Sequence, residues 1–253
     1  MVKLQTPSFR LDGKSALVTG GSKGIGLAMA VALAQAGADV TIAARDRKGI
    51  NEALLAHDAL NNAVAIDITD TQAVKTYMAG ALVFDILVNN AGLARHSTLT
   101  EMTEQDYDAV MDLNVRALML LTREWVKKVQ SLGDDRPRSV INVSSQMGHV
   151  GGPRRSLYCA SKHALEGFTK ALAWEVAQDN IRANTLCPTF IETEFTKTAL
   201  ADPSFKTFVT SKIARGTLGS LTEVMGPVVF LASDAASLIT GSALMLDGGW
   251  TAV

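Results

Sequence analysis

Residues 15–36 read Ser15-Ala-Leu-Val-Thr19, then Gly20-Gly-Ser-Lys-Gly24-Ile-Gly26, then a run of apolar and small residues to Ala36. The first run is typical of a buried strand, and the last predicts a helix. Strand, glycine loop and helix in this order form a phosphate-binding layout, because glycine lets the backbone approach an anion and a helix N-terminus offers free N–H groups. The glycine spacing differs from the commoner G-x-G-x-x-G pattern, so a plain tight turn stays an alternative.

Strand and helix patterns alternate along the rest of the chain. Gly37 ends the first helix, and Val40–Ala44 is the second strand, which completes a βαβ unit. We expect further strands at 63–66, 86–88, 140–143, 181–186 and 243–246, and helices at 72–79, 104–129, 157–176 and 223–232. This alternation predicts an α/β fold, a doubly wound parallel sheet with helices on both faces.

The length of 253 residues suits one such domain, and we expect residues 1–253 to form it. Residues 188–221 are the irregular stretch, polar and carrying Pro203 and Gly216. A connection of this length in a compact domain indicates a functional loop or lid.

The composition limits the partners. Hydrophobic residues make up 47% and charged residues 19%, and the formal net charge is −1. These values predict a compact globule with no basic surface for nucleic acid or anionic lipid, so we expect a small-molecule partner. No apolar run reaches the length of a membrane span, and residues 1–10 lack the apolar segment of a signal peptide, so we expect a cytoplasmic protein.

The two cysteines, Cys159 and Cys187, have neither metal-ligand spacing nor enough partners for a disulfide framework, which favours a reducing compartment. No group of His, Cys, Asp or Glu is spaced like metal ligands along the chain. We therefore expect no catalytic metal.

The predicted helix 157–176 carries Tyr158 and Lys162, four residues apart and so on one helix face. A fixed cation near a tyrosine lowers its pKa, and such a tyrosine can transfer protons. The same spacing is also common by chance, with the tyrosine packed in a core and the lysine solvated.

Five motifs occur together: Thr19-Gly-Gly-Ser-Lys-Gly-Ile-Gly26, Asn89-Asn-Ala-Gly92, Asn114, Ser145 and Tyr158-x-x-x-Lys162. In this order, and over nearly the whole chain, they resemble the short-chain dehydrogenase/reductase family. The resemblance implies a Rossmann-type single domain that binds a nicotinamide dinucleotide and moves a hydride to or from a carbonyl or alcohol carbon.

The resemblance also implies the catalytic roles. Tyr158 would exchange the proton, Lys162 would lower the tyrosine pKa and bind the nicotinamide ribose, and Ser145 would hold the substrate oxygen. Ser144 is the less suitable serine by spacing. Asn114 would anchor a water that links the lysine to solvent, or else bond to the backbone at a helix irregularity.

Cofactor residues follow from the same resemblance. Asn89 to Gly92 would pack against the adenosine and stabilise the sheet, while Asp67 would contact the adenine or act as a helix cap or turn residue. Thr189 stands where the family usually has glycine, and it restricts the backbone there as glycine would not. The full set is Thr19, Gly20, Ser22, Lys23, Gly24, Ile25, Gly26, Arg45, Asp67, Asn89, Ala91, Gly92, Tyr158, Lys162, Pro188, Ile191 and Thr193.

The second strand ends at Ala44 and is followed by Arg45, where an acidic residue would select NAD. Arg45 and Lys23 could converge on a 2′-phosphate, so we expect NADP. The alternative is NAD, with Asp46 turned inward if the strand ends later.

Two loops near the expected site are rich in polar donors, which favours a sugar, polyol or sugar acid as substrate. The arginines could instead be solvated or bridge subunits. Further alternatives are a 3-oxoacyl thioester reductase and, in another class, a non-catalytic dinucleotide-binding regulator or scaffold. The expected substrate-binding residues are Ser145, His96, Gln146, His149, Arg154 and Tyr158.

Apolar residues lie on more than one face of the helices at 104–129 and 157–176. With the resemblance, this pattern predicts a homotetramer. The residues are Met119, Leu120, Leu165, Phe168 and Leu172.

Overall fold

A seven-stranded parallel sheet forms the centre of the computed structural model, which describes residues 4–252 apart from the side chains at positions 195, 198 and 199. The strand order is β3-β2-β1-β4-β5-β6-β7, so the order reverses between β1 and β4. The strands are β1 (Ser15–Thr19), β2 (Asp39–Ala44), β3 (Asn62–Ala65), β4 (Ile86–Asn89), β5 (Arg138–Val143), β6 (Ile181–Pro188) and β7 (Ala243–Leu246).

Helices connect the strands and cover the sheet. They are α1 (Gly24–Gln35), α2 (Arg47–Ala56), α3 (Thr71–Gly80), α4 (Glu104–Met111), α5 (Leu118–Gln130), α6 (Ser156–Glu175), α7 (Glu194–Leu200), α8 (Pro203–Lys212) and α9 (Met225–Ala232). A π-helix, Asp112–Ala117, joins α4 to α5.

Both faces of the sheet are buried, and β1 shows why. Ala16 and Val18 belong to one hydrophobic core, whereas Leu17 between them belongs to the other. Side chains alternate across a strand, so an unbroken apolar strand supplies two cores at once. The first core includes apolar residues of α1 and α9, and the second includes residues of α3, α5 and α6. This arrangement confirms the predicted doubly wound sheet and Rossmann-type fold.

The prediction of an irregular stretch at 188–221 is wrong, because α7 and α8 occupy much of it. Helix α8 starts with a clear signal: the Asp202 carboxylate accepts hydrogen bonds from the N–H groups of Ser204 and Phe205, and Pro203 is the first helical residue. Both helices are short and α8 is only weakly amphipathic, so hydrophobic periodicity does not predict them.

Helix α2 was also missed, and the single helix expected at 104–129 is interrupted by the π-helix. None of the helices among residues 4–252 combines the length and hydropathy that crossing a membrane requires.

Candidate active site

The sequence motifs meet at the carboxyl ends of β1, β4, β5 and β6. The strand order reverses between the first two of these strands. Open α/β sheets bind ligands in the crevice at this switch point. The fold therefore brings the glycine loop, Asn89–Gly92, Ser145 and the start of α6 to one edge of the sheet.

The glycine loop has the form of an anion cradle. Gly20 and Gly24 have positive φ angles of 64° and 55°, which favour glycine. A Cβ atom on Gly26 would lie 2.2 Å from the carbonyl oxygen of Gly20, so only glycine fits there. Helix α1 begins at Gly24, and the residue before it, Lys23, makes no side-chain capping bond. The N-terminus of α1 can therefore donate to a phosphate, as a dinucleotide requires.

Thr19 and Asn90 tie the glycine loop to the end of β4. The Thr19 hydroxyl accepts hydrogen bonds from the N–H groups of Asn90 (3.0 Å) and Ala91 (3.1 Å). The Asn90 amide donates to the carbonyl oxygens of Thr19 and Gly20. These side chains fix the path of the backbone on which the predicted cofactor contacts of Gly20 and Ala91 depend.

Asn89 is buried, and its side-chain amide donates to Thr122 Oγ1 at 2.9 Å and Asn142 Oδ1 at 2.8 Å. Its side chain thus links β4 to α5 and β5 by hydrogen bonds. This link is the sheet-stabilising part of the role expected for Asn89. Gly92 follows on the exposed side, and a Cβ atom there would lie 3.2 Å from Asn114 Oδ1.

Helix α6 places Tyr158 and Lys162 on one face, as predicted. Lys162 is only 6% exposed, its Nζ atom donates to the Val143 carbonyl oxygen at 2.9 Å, and it lies 5.7 Å from the centre of the Tyr158 ring. Burial lowers the pKa of Lys162 to about 8, against the opposing charges of Cys187 and Glu166. A lysine at this depth loses its proton far more easily than a solvated one.

Burial raises the pKa of Tyr158, while a hydrogen bond with Ser145 and the charge of Arg155 act in the lowering direction. A lowered tyrosine pKa was expected from the sequence, so the direction is the reverse. The physical reason is that desolvation disfavours the phenolate and that the Lys162 ammonium bonds the Val143 carbonyl. Burial therefore favours the protonated phenol, and the proton-transfer role of Tyr158 stays a prediction.

Ser145 and Ser144 follow β5 and differ in their surroundings. The Ser145 hydroxyl donates to Gln146 Oε1 at 2.7 Å and accepts from the Met147 N–H at 3.1 Å. Gln146 is buried and takes part in this bond. The Ser144 hydroxyl is buried beside the Cys187 thiol, where its hydrogen bond opposes the rise that burial causes in the pKa of that thiol.

Asn114 lies within the π-helix and is fully buried. Its Oδ1 atom accepts from the Leu93 N–H at 2.9 Å, and its Nδ2 atom donates to the Leu93 carbonyl oxygen and to Ser161 Oγ. The side chain therefore bonds to backbone at a helix irregularity, which is one of the two expectations. Its role as a water anchor stays a prediction.

The residues that would distinguish NADP from NAD follow the carboxyl end of β2. Strand β2 ends at Ala44, as expected, and Arg45 is 73% exposed with Nη1 3.8 Å from Asp67 Oδ2. Asp46 caps α2, because its carboxylate accepts from the N–H groups of Lys48 and Gly49. Asp46 is thus held in the cap rather than turned toward the ligand crevice.

Asp67 accepts hydrogen bonds from the Thr69 N–H and hydroxyl groups, so its side chain stabilises a turn, the alternative considered for it. Ser22 is half-buried and Lys23 is exposed in the glycine loop. Ile25 packs against the first core, so its side chain faces away from the loop's open side.

The loop after β6 faces the glycine loop. Thr189 has no positive φ angle, so the chain does not need glycine at this position. Ile191 is buried and pairs with Gly219, and the methyl carbon of Thr193 lies 3.9 Å from a Cβ atom placed on Gly24. The loop that follows Pro188 is therefore close enough to hold the other side of a bound dinucleotide.

Arg154 and Arg155 point to different places. Arg154 has a positive φ angle of 58° and pairs with Glu101 at 3.0 Å on the surface. The half-buried Arg155 lies 2.8 Å from the His96 Nε2 atom, and His96 stacks edge-on against Tyr158 at 6.1 Å. The sequence favoured Arg154 for substrate binding, but the side chain beside the tyrosine is that of Arg155.

We call the space bordered by Tyr158, His96 and Arg155 the cleft, and aromatic side chains form a wall on its Arg155 side. The Arg155 guanidinium lies 5.5 Å from the centre of the Phe190 ring, and Phe190 stacks on Trp250 at 5.8 Å. Phe205 of α8 packs against the same ring at 5.7 Å. No motif in the sequence indicated Phe190, since its neighbours in the cleft come from distant parts of the chain.

His149 turns away from this cleft. Its Nε2 atom lies 3.4 Å from Glu166 Oε1 and 3.6 Å from the Cys187 sulfur, while His96 lies against Tyr158. Of the two histidines expected to bind substrate, only His96 is therefore placed to do so.

Known proteins match this chain over nearly its whole length. A family model described as enoyl-(acyl carrier protein) reductase matches residues 20–251. The 3-oxoacyl-(acyl-carrier-protein) reductase of Rickettsia bellii is 37% identical over 241 residues, 94% of this chain and 97% of that protein. The 2-dehydro-3-deoxy-D-gluconate 5-dehydrogenase of Escherichia coli is 34% identical over 97% of this chain and 98% of its own length.

Among solved structures, the gluconate 5-dehydrogenase from Burkholderia cenocepacia, in complex with NADP and tartrate, superposes with a TM-score of 0.90. It is 30% identical, and the match covers 97% of this chain and 98% of that one.

These relatives are dehydrogenases and reductases, so the protein is an oxidoreductase that acts on CH–OH or C=O groups. The chain belongs to the short-chain dehydrogenase/reductase family.

Proposed function

We propose that this protein transfers a hydride between NADP(H) and a small hydroxylated carboxylic acid of the sugar-acid type. One observation carries the substrate class. The Arg155 guanidinium is half-buried beside Tyr158, and no carboxylate of residues 4–252 lies within salt-bridge distance of it.

A desolvated cation without an anion is costly, which is reflected in the lowered pKa of Arg155. His96 does not neutralise it. Desolvation in the cleft, reinforced by the Arg155 charge, lowers the pKa of His96 to about 4, so the imidazole is neutral at pH 7 and accepts from the guanidinium. A substrate carboxylate would supply the missing charge and could form a bidentate pair with Arg155.

The comparisons support the same class. The E. coli relative is named for a sugar acid, and the Burkholderia structure holds tartrate, a hydroxylated dicarboxylate. Phe190 and Trp250 would offer flat apolar faces to the C–H groups of such a molecule.

Each residue of the site has a definable task. The bound nicotinamide would supply or accept the hydride. Tyr158, kept protonated by burial, would donate its proton to the oxygen of a reacting carbonyl or take it back from an alcohol, and Ser145 would hold that oxygen. The Val143 carbonyl oxygen holds the Lys162 ammonium in place. Lys162 would return a proton to Tyr158 after the tyrosine has given up its own.

Preference for NADP follows from the end of β2. Arg45 is exposed there with Lys23 in the neighbouring loop, and the carboxylate of Asp46 is engaged as a helix cap. This leaves two cations for a 2′-phosphate, and the Asp46 carboxylate is not free to repel it.

Steady-state kinetics with a matched panel test the substrate class. The panel contains gluconate-type acids, polyols and aldoses of equal chain length, and acetoacetyl thioester, each with NADP(H) and NAD(H). We expect the acids to have the highest kcat/KM. Higher kcat/KM for the thioester would instead support the 3-oxoacyl reductase, and cofactor binding without turnover of any of these would support a regulator or scaffold.

Arg155 is tested by substitution, and its neighbour Arg154 is the control. Arg155→Met should raise KM for the acids at least tenfold and leave the polyols nearly unchanged, because only the acids carry the paired charge. Arg154→Met removes a surface arginine paired with Glu101 and should change neither. Equal losses for acids and polyols would show that Arg155 does not read the carboxylate.

We propose a homotetramer, supported by Met119 (38% exposed) and Trp174 (88% exposed) on α5 and α6. Leu165 and Leu172, expected on a partner-facing surface, are instead buried within the chain. Sedimentation showing a monomer at micromolar concentration would contradict the tetramer.

The free, buried thiols of Cys159 and Cys187 are compatible with a reducing cytoplasm, which fractionation of cells would test.

We propose that α7 and α8 form a lid, because α8 brings Phe205 to the aromatic wall of the cleft. Hydrogen exchange in 194–212 should slow when cofactor and substrate bind.

A further inference from the structure

Three side chains from separate elements converge behind the catalytic residues. His149 follows the short 3₁₀ helix Gln146–Gly148, Glu166 lies on α6, and Cys187 lies near the end of β6. The sequence shows no metal-like spacing because these residues are 17 or more positions apart, and the fold alone assembles them.

Their donor atoms form a nearly equilateral triangle. His149 Nε2 lies 3.4 Å from Glu166 Oε1, the Cys187 sulfur lies 3.4 Å from the same oxygen, and the sulfur and the imidazole nitrogen are 3.6 Å apart. The centre of such a triangle is about 2 Å from each atom, close to the bond lengths of zinc to nitrogen, oxygen and sulfur. We propose that His149, Glu166 and Cys187 form a binding site for a zinc-class transition-metal ion.

A second observation supports a ligand at this place. The Ser144 hydroxyl is 3% exposed and lies beside the Cys187 thiol, within reach of a hydrogen bond to it. A Cβ atom on Gly148 would lie 3.0 Å from this hydroxyl and 3.1 Å from the Glu166 Cγ atom, so both side chains border the space that glycine leaves open. The hydroxyl, or a water beside it, can complete a tetrahedral set.

The surroundings suit a metal site in two further ways. Thr185 donates its hydroxyl to the second carboxylate oxygen of Glu166 at 2.9 Å, which would orient the carboxylate as outer partners of metal ligands do. The His149 side chain is 29% exposed, so an ion can enter from its side.

The donor set selects the kind of ion. Imidazole, thiolate and carboxylate together favour zinc or cobalt over magnesium or calcium, which prefer oxygen alone. Binding would form a metal–sulfur bond and release the thiol proton to solvent, with no change of oxidation state. The ion would join the segment after Ser145 to α6 and β6, and it would use none of the residues that act on the substrate.

Cobalt spectroscopy of the full-length protein, first stripped with EDTA, tests the site directly. Added Co²⁺ should give a thiolate-to-metal charge-transfer band and visible bands of tetrahedral intensity that saturate at one ion per chain. One equivalent of Zn²⁺ should abolish them. Cys187→Ala should lose the charge-transfer band, and His149→Ala should weaken Co²⁺ binding at least tenfold.

Cys159→Ala is the matched control, because Cys159 is the other free thiol and contacts Met147 rather than the cluster. It should keep the full spectrum. Circular dichroism checks that each variant folds, and a Zn²⁺-dependent rise in the unfolding temperature of the wild type gives a reading that needs no variant. Absence of the bands and of this rise in the wild type, or persistence of the charge-transfer band in Cys187→Ala, would overturn the proposal.

Discussion

The ammonium nitrogen of Lys162 lies 5.7 Å from the centre of the Tyr158 ring and donates to the Val143 carbonyl oxygen at 2.9 Å. The last residue of β5 thus holds the lysine that accompanies the tyrosine of α6. Burial acts on the two groups in opposite directions, raising the pKa of the phenol and lowering that of the ammonium to about 8. The pair therefore keeps a protonated phenol beside a lysine that can give up its own proton.

Tyr158→Phe should keep the fold and the affinity for cofactor while kcat falls about 100- to 10,000-fold, because the substitution removes the proton donor and almost no volume. Fluorescence titration with NADPH and steady-state kinetics measure the two properties on one preparation. A variant with wild-type kcat would show that the proton comes from another group.

Ser145→Ala should reduce turnover severely, since its hydroxyl is aligned by Gln146 and by the Met147 N–H next to Tyr158. Ser144→Ala should have a mild effect on turnover, because the Ser144 hydroxyl bonds the Cys187 thiol, whereas the hydrogen bond with Tyr158 comes from Ser145. Comparing kcat/KM for the two variants at one pH decides between them. The reverse ranking would assign the catalytic hydroxyl to Ser144.

Lys162→Met should change the pH dependence of stability without cofactor. The folded pKa of about 8 lies below the ordinary value of 10.5, so between these pH values the unfolded chain binds the proton and the folded chain releases it. Burial of the charge therefore costs roughly 3 kcal/mol below pH 8, and this cost fades as pH rises toward 10.5.

The stability of the variant relative to the wild type should accordingly fall by up to that amount between pH 7 and pH 10. Urea unfolding at both pH values measures the difference, and comparison with the wild type cancels the other groups that titrate in this range. A difference independent of pH would show that Lys162 is not desolvated in the folded protein.

Gly26→Ala should abolish dinucleotide binding or the fold of the loop, because its Cβ atom would lie 2.2 Å from the Gly20 carbonyl oxygen. Gly80→Ala at the end of α3 is the control, since a Cβ atom there meets nothing within 4 Å. Thermal unfolding with and without NADPH should show a cofactor-induced shift for Gly80→Ala and none for Gly26→Ala. Equal shifts would contradict the close contact between the two glycines.

Local signals made the fold and the centre of the site predictable. The run from Ser15 to Gly26 forms its strand, loop and helix from neighbouring residues, and Tyr158 and Lys162 are one helical turn apart. Arg154 and Arg155 are neighbours, but the backbone turn before α6 sends their side chains to different places. Hydrophobic periodicity does not predict such a turn, so the sequence could not show which arginine lies beside Tyr158.

The parts that could not be predicted depend on contacts between distant residues. Phe190 stacks on Trp250 across 60 positions of the sequence, and Cys187 meets His149 across 38. Such pairs are produced by strand order and register, which follow from the whole sheet rather than from any single motif.

Arg45→Ala should distinguish the cofactors. Arg45 is exposed at the end of β2 and is only loosely paired with Asp67 at 3.8 Å, so its guanidinium can turn to a 2′-phosphate at little cost. A charge-assisted bond to phosphate contributes about 1.5 to 3 kcal/mol, so the variant should bind NADPH roughly ten- to a hundredfold more weakly, with NADH nearly unchanged.

Calorimetric titration with both cofactors measures this effect, and the loss for NADPH should shrink as salt concentration rises. Lys48→Ala is the control, because Lys48 belongs to the same segment but pairs with Glu52 along α2, and it should bind both cofactors as the wild type does. If Arg45→Ala weakens NADPH and NADH alike, or if the wild type binds NADH more tightly, then the cations at β2 do not select the phosphate. The cap residue Asp46 would then have to leave the N-terminus of α2 to reach the ribose, which Asp46→Asn would detect as a loss of NADH binding.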